Sequence, residues 1–189
     1  MILKDLILKN RSYRRFDQSA IVPMTLLREM VEAARLSASA RNMQPLRYML
    51  FNNAPDCERI FPCLAWAGYM KDWPGPADGE RPSAYIIQLG DLELTRDWWC
   101  DDGIAAQSML LTAVEAGFGG CIVGSVQRDK LREELDIPDR YKIIQVLALG
   151  LPAEEVVLDH MQDGDVKYWR DADEIHHVPK RSLDELIIG

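Results

Sequence analysis

A helix that is apolar on nearly every side constrains the fold of this chain more than any other segment does. It extends from Gly103 to Ala116. Its apolar residues are Ile104, Ala105, Met109, Leu110, Leu111, Ala113 and Val114. A helix without a polar face has to be buried, and the preceding acids Asp101 and Asp102 are predicted to cap it at the positive end of its dipole. The sequence therefore predicts a helix that runs through the core.

Shorter segments with regular patterns predict the elements around this helix. Helices are predicted at Ile2–Lys9, Met24–Leu36, Cys57–Asp72, Gln127–Leu135 and Leu183–Ile188. Strands are predicted at residues 47–51, 84–89, 121–123 and 143–149. From Pro152 to Val178 the chain is polar and no element is predicted. Several helices lack a following parallel strand, so the order favours an α+β sandwich, in one domain of residues 1–189, over a doubly wound sheet.

Charge and cysteine content exclude several classes of protein. The net charge of -8 argues against nucleic acid or an anionic membrane as a partner, and no uncharged stretch has transmembrane length. The four cysteines form no CxxC pair, and the three histidines lack metal-ligand spacing, so no metal site is predicted. Free thiols and a charged N-terminus favour a cytoplasmic protein.

Residues 10–16 form a cationic cluster in this acidic chain. Arg11, Arg14 and Arg15 lie within five positions, together with Ser12. The planar donor fork of arginine suits phosphate, so the cluster is a candidate anion site. Residue types alone favour the other interpretation, a solvated face whose arginines pair with nearby acids.

Glycines cluster at residues 117–120 and recur at Gly124. A dinucleotide fingerprint would require glycine at Ile122, and a phosphate-binding loop would require lysine at Ser125, so neither motif is present. A helix stop accounts for the first cluster and less well for Gly124. Glycine also allows backbone N–H groups to approach a flat ligand closely.

Three aromatic residues, Trp66, Tyr69 and Trp73, recur at three- and four-residue spacing. On a helix this spacing places them on one stripe. Such a stripe packs into a core or forms an aromatic wall over a planar ligand, and the sequence leaves both interpretations open.

Four segments, taken together and in order, resemble the nitroreductase family of FMN-dependent oxidoreductases. They are Arg11-Ser12-x-Arg14, Ser39-x-x-Asn42-x-Gln44-Pro45, the run from Gly119 to Gly124, and Pro179-Lys180-Arg181. The resemblance extends over nearly the full chain. It implies an α+β sandwich with a central, mostly antiparallel sheet flanked by helices, and a domain-swapped homodimer with FMN at the subunit interface.

The resemblance also implies roles for individual residues. The implied cofactor-binding residues are Arg11, Ser12, Arg14, Ser39, Asn42, Gln44, Val123, Gly124, Lys180 and Arg181. Arg11, Ser12, Lys180 and Arg181 are expected at the phosphate, and Arg14 near flavin N1 and O2. Residues 39–44 are expected to come from the other subunit and line the ring, with the Gly124 N–H toward N5. Flavin N5 then carries the chemistry, so no catalytic side chain is expected.

The chain departs from the family at three positions. Members often carry proline, glycine and tryptophan where this chain has Ala38, Arg41 and Leu46. Arg41 adds bulk and charge beside the expected ring site. Together with Trp66, Tyr69 and Trp73 it is a candidate substrate-binding residue.

The residues agree with the implied chemistry, because a cation near N1 favours the anionic reduced flavin. The expected function is a ping-pong cycle in which NADH or NADPH reduces FMN and a nitroaromatic, quinone or similar small acceptor is then reduced. Two alternatives remain. Arg41 and the aromatic loop could close the pocket, giving a flavin-binding or storage protein with little turnover. The chain could also be a monomeric interaction module with surface arginines.

Overall fold

A computed structural model describes residues 2–189 and shows a central antiparallel sheet with helices on both faces. The helices are α1 (Leu3–Lys9), α2 (Met24–Leu36), α3 (Ala54–Ile60), α4 (Asp101–Glu115), α5 (Arg128–Glu134) and α6 (Leu183–Leu186). The strands are β1 (Phe16–Asp17), β2 (Leu46–Phe51), β3 (Ala84–Asp91), β4 (Gly119–Val123), β5 (Tyr141–Pro152), β6 (Val156–His160), β7 (Trp169–Arg170) and β8 (His176–Lys180). The predicted α+β class is confirmed.

Strand β5 lies at the centre of the main sheet and pairs with strands along both of its edges. Along one edge it pairs with β3, which pairs in turn with β2. Along its other edge it pairs first with β4 and then, at Leu151 and Pro152, with β1. All of these pairings are antiparallel, so the C-terminal end of β5 lies beside the arginine cluster that precedes β1.

The two faces of the sheet bury different helices, because side chains alternate along a strand. On β3, Ile86 packs with α2 and α4, whereas Tyr85 and Ile87 pack with α3 and α5. On β5, Leu147 and Val146 divide in the same way. The result is a sandwich with an apolar layer on each side of the sheet.

Helix α4 is buried as predicted, with Ala106 and Met109 fully inaccessible. The predicted acids, Asp101 and Asp102, lie in the first turn of α4, at the positive end of its dipole, but the predicted N-cap is wrong, because α4 already begins at Asp101 and the N-cap position is Cys100. The Asp101 carboxylate instead accepts hydrogen bonds from the Ser39 hydroxyl (2.6 Å) and the Ala40 N–H (2.9 Å). Across residues 2–189, no helix combines the length and the apolar character needed to cross a membrane.

The prediction of a helix over residues 57–72 is wrong. Helix α3 starts earlier, where the Asn53 side chain accepts the Asp56 N–H at 3.0 Å, and it ends at Ile60. Pro62 then stands in a short 3-10 turn of residues 61–63, and a proline cannot donate the next helical hydrogen bond. Trp66, Tyr69 and Trp73 therefore do not form a helical stripe.

A second, three-stranded sheet occupies the polar tail, for which the sequence predicts no elements. Strand β8 pairs in parallel with β6 and antiparallel with β7. These strands are short or half-exposed, so they lack the apolar alternation by which strands are recognised. This sheet carries His176 and Lys180 to the cationic cluster.

Candidate active site

The cationic cluster is fastened to strand β4. Ser12 forms a parallel bridge with Gly120, and the Tyr13 N–H donates to the Gly120 carbonyl at 3.1 Å. A Cβ on Gly120 would lie 2.4 Å from the Ala148 carbonyl oxygen, so only glycine allows β4 to pair this closely at that point. The glycine-rich strand thus fixes the position of Ser12 and its neighbours.

Four predicted phosphate-site and ring-site residues line one cavity of about 310 Å³, which we call the arginine cavity: Arg11, Ser12, Arg14 and Lys180. Its other lining residues are Asn10, Gln107, Leu110, Ile122, Tyr168, His176 and Val178. Residues 10–14, helix α4 and strand β8 all contribute. Three cations and a hydroxyl from distant parts of the sequence therefore meet at one cavity.

The cations of this cavity differ from the neighbouring Arg15 in their partners. Arg15 pairs with Glu80 at 2.5 Å and with Glu174 at 2.8 Å. Within residues 2–189, no carboxylate forms an ion pair with Arg11, Arg14 or Lys180. Their positive charges are therefore not paired with a carboxylate of the described residues and can interact with a bound anion.

The Arg11 side chain has a buried hydrogen-bond donor without an acceptor in the part of the chain that the structure describes. Its Nη2 donates to the Ile7 carbonyl at 2.7 Å, whereas its Nε is buried without a hydrogen-bond partner among residues 2–189. A buried unpaired donor costs free energy until an acceptor reaches it. An anion in the arginine cavity would supply that acceptor.

The guanidinium of Arg14 lies against neutral groups. Its Nη1 donates to the Ser12 carbonyl at 3.2 Å and lies 3.5 Å from His176 Nε2, and its guanidinium carbon is 4.8 Å from the Tyr168 ring centre. Burial lowers the pKa of His176 to about 4, so this imidazole is neutral at pH 7. His176 therefore adds no positive charge to that of the arginines and lysine that line the cavity.

Glu154 is a site residue that the sequence did not reveal. Its carboxylate is 2% exposed and accepts the backbone N–H groups of Arg14 and Arg15, the latter at 3.1 Å. Its second oxygen accepts from Arg170 Nη2 at 2.7 Å. The pairing of β1 with the end of β5 brings Glu154 into this position, and a two-residue strand gives no pattern from which this could be predicted.

A second cavity, of about 230 Å³, adjoins the first, and we call it the strand-end cavity. Val123, Gly124 and Trp66 line it, and Arg14 and Tyr168 line both cavities. A Cβ on Gly124 would meet no atom within 4 Å, so packing does not require glycine at this position. Burial raises the pKa of Cys121 to about 12, which leaves its thiol unreactive.

The predicted residues Ser39 and Gln44 line a third cavity, of about 200 Å³, which we call the Ser39 cavity. The Ser39 hydroxyl donates to Asp101 and accepts the Gln44 N–H at 2.9 Å. Arg41, Asn42 and Gln44 have left-handed φ angles of 53°, 54° and 49°, a costly backbone for residues other than glycine. Strain of this kind is often concentrated at functional sites.

The remaining candidates lie outside the arginine cavity. The Arg41 guanidinium carbon is 5.7 Å from the Trp99 ring centre, and Arg181 pairs with Glu185 at 3.7 Å. The Tyr69 ring centre lies 5.0 Å from that of Tyr168, so Tyr69 borders the site through another aromatic residue. Trp73 packs under the Arg170 guanidinium, whose central carbon is 4.5 Å from the ring centre.

Comparison with known proteins identifies the family of the chain. A model of the nitroreductase family matches residues 7–68 and 79–151. A Methanothermobacter thermautotrophicus protein, provisionally named NADH dehydrogenase/NAD(P)H nitroreductase, is 28% identical over 160 residues, which cover 82% of this chain and 79% of that protein. A Thermus thermophilus protein named NADH dehydrogenase is 26% identical over 186 residues, covering 83% and 90% of the two chains.

Solved structures show the same fold. The FMN-dependent nitroreductase of Clostridium difficile R20291 superposes with a TM-score of 0.66 at 20% identity, covering 90% of this chain and 94% of that one. A nitroreductase family protein of Clostridium novyi NT superposes with a TM-score of 0.66 at 19% identity and covers 98% of this chain and 99% of that one. The model of the nitroreductase family matches well over half of the residues of this chain, and the chain therefore belongs to that family.

Proposed function

We propose that the protein is an FMN-dependent oxidoreductase that uses NADH or NADPH, in a ping-pong cycle, to reduce nitroaromatic, quinone or similar small acceptors. The observation that carries this proposal is the cationic end of the arginine cavity. Its cations have no carboxylate partner within residues 2–189, and Arg14 also lines the adjoining strand-end cavity, which Gly124 lines as well. The names of the relatives, which include an FMN-dependent nitroreductase, support it.

The arginine cavity fits the phosphate of FMN. The unpartnered Arg11 Nε, the Ser12 hydroxyl and the Lys180 ammonium belong to residues that line it, and each can donate to a phosphate oxygen. Lys180 comes from β8 and Arg11 from the segment after α1, so the folded tail would complete the phosphate site. Arg181 would contribute only if it left Glu185.

The strand-end cavity fits a flat ring. Bound FMN would supply the two-electron chemistry between the nicotinamide and the acceptor. Arg14, which lines both cavities, would hold positive charge beside the ring and favour its anionic reduced form. Val123 and the bare backbone of Gly124 would lie along the ring edge, where a glycine permits close approach.

A second copy of the chain would complete the site, in a domain-swapped homodimer. Ser39, Asn42 and Gln44 would reach the ring from that copy. Large apolar side chains are exposed near both ends of this chain, which supports association. They are Ile2, Leu3, Ile7, Leu8, Leu183, Leu186, Ile187 and Ile188. The full chain, 1–189, would act as one FMN-binding domain, and its four free thiols favour the cytoplasm.

The absorbance spectrum of the purified protein tests the proposal. We expect flavin bands that bleach when NADH or NADPH is added and return when menadione or a nitrofuran follows. A colourless protein that cannot be reconstituted with FMN would contradict the proposal.

The variant Arg14→Ala tests the ring assignment. We expect weaker FMN retention and a lower flavin reduction potential, because a positive charge beside the ring is lost. Arg15→Gln is the matched control, because Arg15 pairs with Glu80 and Glu174. This variant should leave FMN retention and the flavin reduction potential unchanged. Equal behaviour of the two variants would overturn the role of Arg14.

A flavin-binding protein with little turnover is the second candidate. The strained, bulky Arg41 favours it, with its guanidinium over Trp99 and its φ angle of 53°, because this residue could narrow the pocket from the partner side. Steady-state oxidation of NAD(P)H with menadione separates the two functions. If Arg41 closes the pocket, the wild type binds FMN without turnover and Arg41→Gly restores turnover.

A further inference from the structure

A cavity larger than the three described above is separate from the proposed flavin site. It has a volume of about 480 Å³ and lies between α3, the start of β3 and the turn that follows β1. None of its lining residues lines the arginine or the strand-end cavity. Its volume is within the range of about 300–1,000 Å³ that is usual for small-molecule sites. We call it the Tyr85 cavity.

Tyr85 gives this cavity an unsatisfied polar group. Its side chain is 0% exposed, and its hydroxyl has no hydrogen-bond partner among residues 2–189. It projects from β3 on the same face as Cys57, which also lines the cavity. A buried tyrosine hydroxyl is usually hydrogen-bonded, so its isolation at a cavity wall indicates that a ligand completes it.

Arg81 is the only cation among the lining residues. Its Nε is buried without a partner, and its guanidinium carbon lies 4.5 Å from the Phe61 ring centre. The acid that pairs with it, Asp78, lies at 3.8 Å and is 85% exposed, so it neutralises Arg81 weakly. Two unpartnered hydrogen-bonding groups, one of them cationic, therefore belong to the wall of the same cavity.

Three other polar side chains of the wall make hydrogen bonds within the chain. Asn52 Nδ2 donates to the Val22 carbonyl at 3.0 Å, and the Ser83 hydroxyl donates to the Ala20 carbonyl at 2.7 Å. The Gln18 side-chain oxygen accepts backbone N–H groups of residues 79 and 81. Burial raises the pKa of Cys57 to about 11, so this thiol is a neutral, apolar part of the wall.

We propose that the Tyr85 cavity binds a small apolar monocarboxylate. Its carboxylate would accept hydrogen bonds from the Tyr85 hydroxyl and the Arg81 Nε, and so would pair the two buried groups of this cavity wall that have no partner within residues 2–189. The apolar body then lies against Phe61, Pro82 and Ile21. Glu58, the only acid among the lining residues, is exposed and weakens binding through repulsion.

Calorimetric titration of the full-length protein with octanoate tests this site, with octanol as the neutral counterpart. We expect octanoate to bind, and we expect octanol to bind more weakly by roughly tenfold or more. A difference of this size corresponds to the loss of about one charge-assisted hydrogen bond. Tyr85→Phe and Arg81→Met should each weaken octanoate binding about tenfold or more by the same reasoning. Glu58→Gln should strengthen it. Equal binding of octanol and octanoate would overturn the monocarboxylate assignment.

Two controls separate this cavity from other sites. Arg59→Met removes a half-exposed arginine of α3 that does not line the cavity, and Arg14→Gln removes a cation of the arginine cavity; both should bind octanoate as the wild type does. Loss of binding in Arg14→Gln with retention in Tyr85→Phe would place octanoate in the proposed flavin site and overturn the proposal.

Thermal unfolding gives an independent readout. Tyr85→Phe removes only an unpartnered hydroxyl, so the ligand-free variant should melt at the wild-type temperature or above it. Octanoate should raise the melting temperature of the wild type more than that of this variant, because the variant binds octanoate more weakly. An equal rise in both would show that the hydroxyl does not contact the ligand.

Discussion

Glu154 holds together parts of the site that are far apart in sequence. Its buried carboxylate accepts two backbone N–H groups of the cationic cluster and the Arg170 guanidinium, whose side chain is 7% exposed. A buried ion pair adds little net stability over an apolar pair, yet breaking it by removing one partner is costly. We therefore assign Glu154 a positioning role for the segment that carries Arg14.

The variant Glu154→Gln tests this role. We expect a loss of about 3 kcal/mol in the free energy of unfolding, because Arg170 loses its carboxylate inside the protein. Urea unfolding measures the loss. The control is Glu32→Gln, which breaks the exposed pair of Glu32 with Arg35 at 2.6 Å and should change the urea midpoint little. Similar midpoints for both variants would show that Glu154 does not hold the segment.

At the scale of single residues, local motifs predict more than isolated positions do. The segments that carry Arg11, Ser12, Arg14 and Lys180 are each recognisable, and the fold brings these residues to one cavity. Glu154, Arg170 and His176 act through pairings of short strands, such as β1 with β5 and β7 with β8. A two-residue strand has no periodicity, so these residues could not be predicted from the sequence.

At the scale of elements, strand β4 and the residue that follows it place two glycines under different constraints. A Cβ on Gly120 would meet the Ala148 carbonyl oxygen at 2.4 Å, whereas beyond the end of the strand a Cβ on Gly124 would meet nothing within 4 Å. The first glycine is required by the pairing of β4 with β5. No neighbouring atom of the residues that the structure describes requires the second to be glycine, and the space beside it is open to a ligand.

The variants Gly120→Ala and Gly124→Ala should therefore separate stability from cofactor binding. We expect Gly120→Ala to lower the free energy of unfolding by about 1–3 kcal/mol, the usual cost of overpacking. Gly124→Ala should keep wild-type stability and lower FMN retention. Chemical unfolding and flavin content measure the two effects. A Gly120→Ala variant as stable as the wild type would contradict the close pairing of β4 with β5.

The small sheet contains adjacent histidines of opposite electrostatic behaviour. His177 lies between Asp171 (3.2 Å) and Asp159 (2.7 Å), and these hydrogen bonds raise its pKa above 6.5, the bond to Asp171 most strongly. His176 is buried, which lowers its pKa to about 4. The first histidine is stabilised as a cation and the second as a neutral ring.

These shifts predict opposite effects of pH on stability. The contribution of His177 is complete below pH 6.5 and is lost as the pH rises through its raised pKa. The contribution of His176 is complete above pH 6.5 and is lost as the pH falls toward about 4. In urea unfolding across pH, His177→Gln should remove the decline on the alkaline side, and His176→Gln should retain it. An unchanged alkaline decline in His177→Gln would contradict the assignment.

Regular elements are predictable where their pattern is long and continuous. Helices α2 and α4 and strands β3 and β5 lie where the sequence predicts them. The apolar run after Cys57 predicts one helix, because aromatic and aliphatic residues recur in it at helical spacing. Pro62 interrupts that helix, and Ala67 adopts a left-handed φ of 43°. Tertiary packing of Trp66 on Phe61, 5.7 Å between ring centres, takes the place of the predicted stripe.

At the scale of the whole molecule, two cavities of the chain lie on different faces of α4. Asp101 and Ala105 line the Ser39 cavity, and Gln107 and Leu110 line the arginine cavity. At 3.6 residues per turn these pairs project about 120–180° apart around the helix axis. Ser39 and Gln44 therefore line a different cavity of the chain from Arg14, and a flavin site built from all three residues would require two chains.

Mixed dimers test whether the site is shared between chains. Arg14→Ala and Asn42→Ala each damage every site of their own homodimer, so both homodimers should retain little FMN. In a mixed dimer of the two variants, a shared site would combine Arg14 of the Asn42→Ala chain with Asn42 of the Arg14→Ala chain. One site would then be intact and the other doubly damaged.

We therefore expect mixed dimers, co-expressed with different affinity tags and isolated through both, to retain half of the wild-type FMN and half of its turnover. A control dimer of two differently tagged Arg14→Ala chains should show no recovery. If each site lay within a single chain, every chain of the mixed dimer would carry one damaging substitution, and FMN would stay at the level of the homodimers. Recovery thus depends only on which chain contributes residues 39–44.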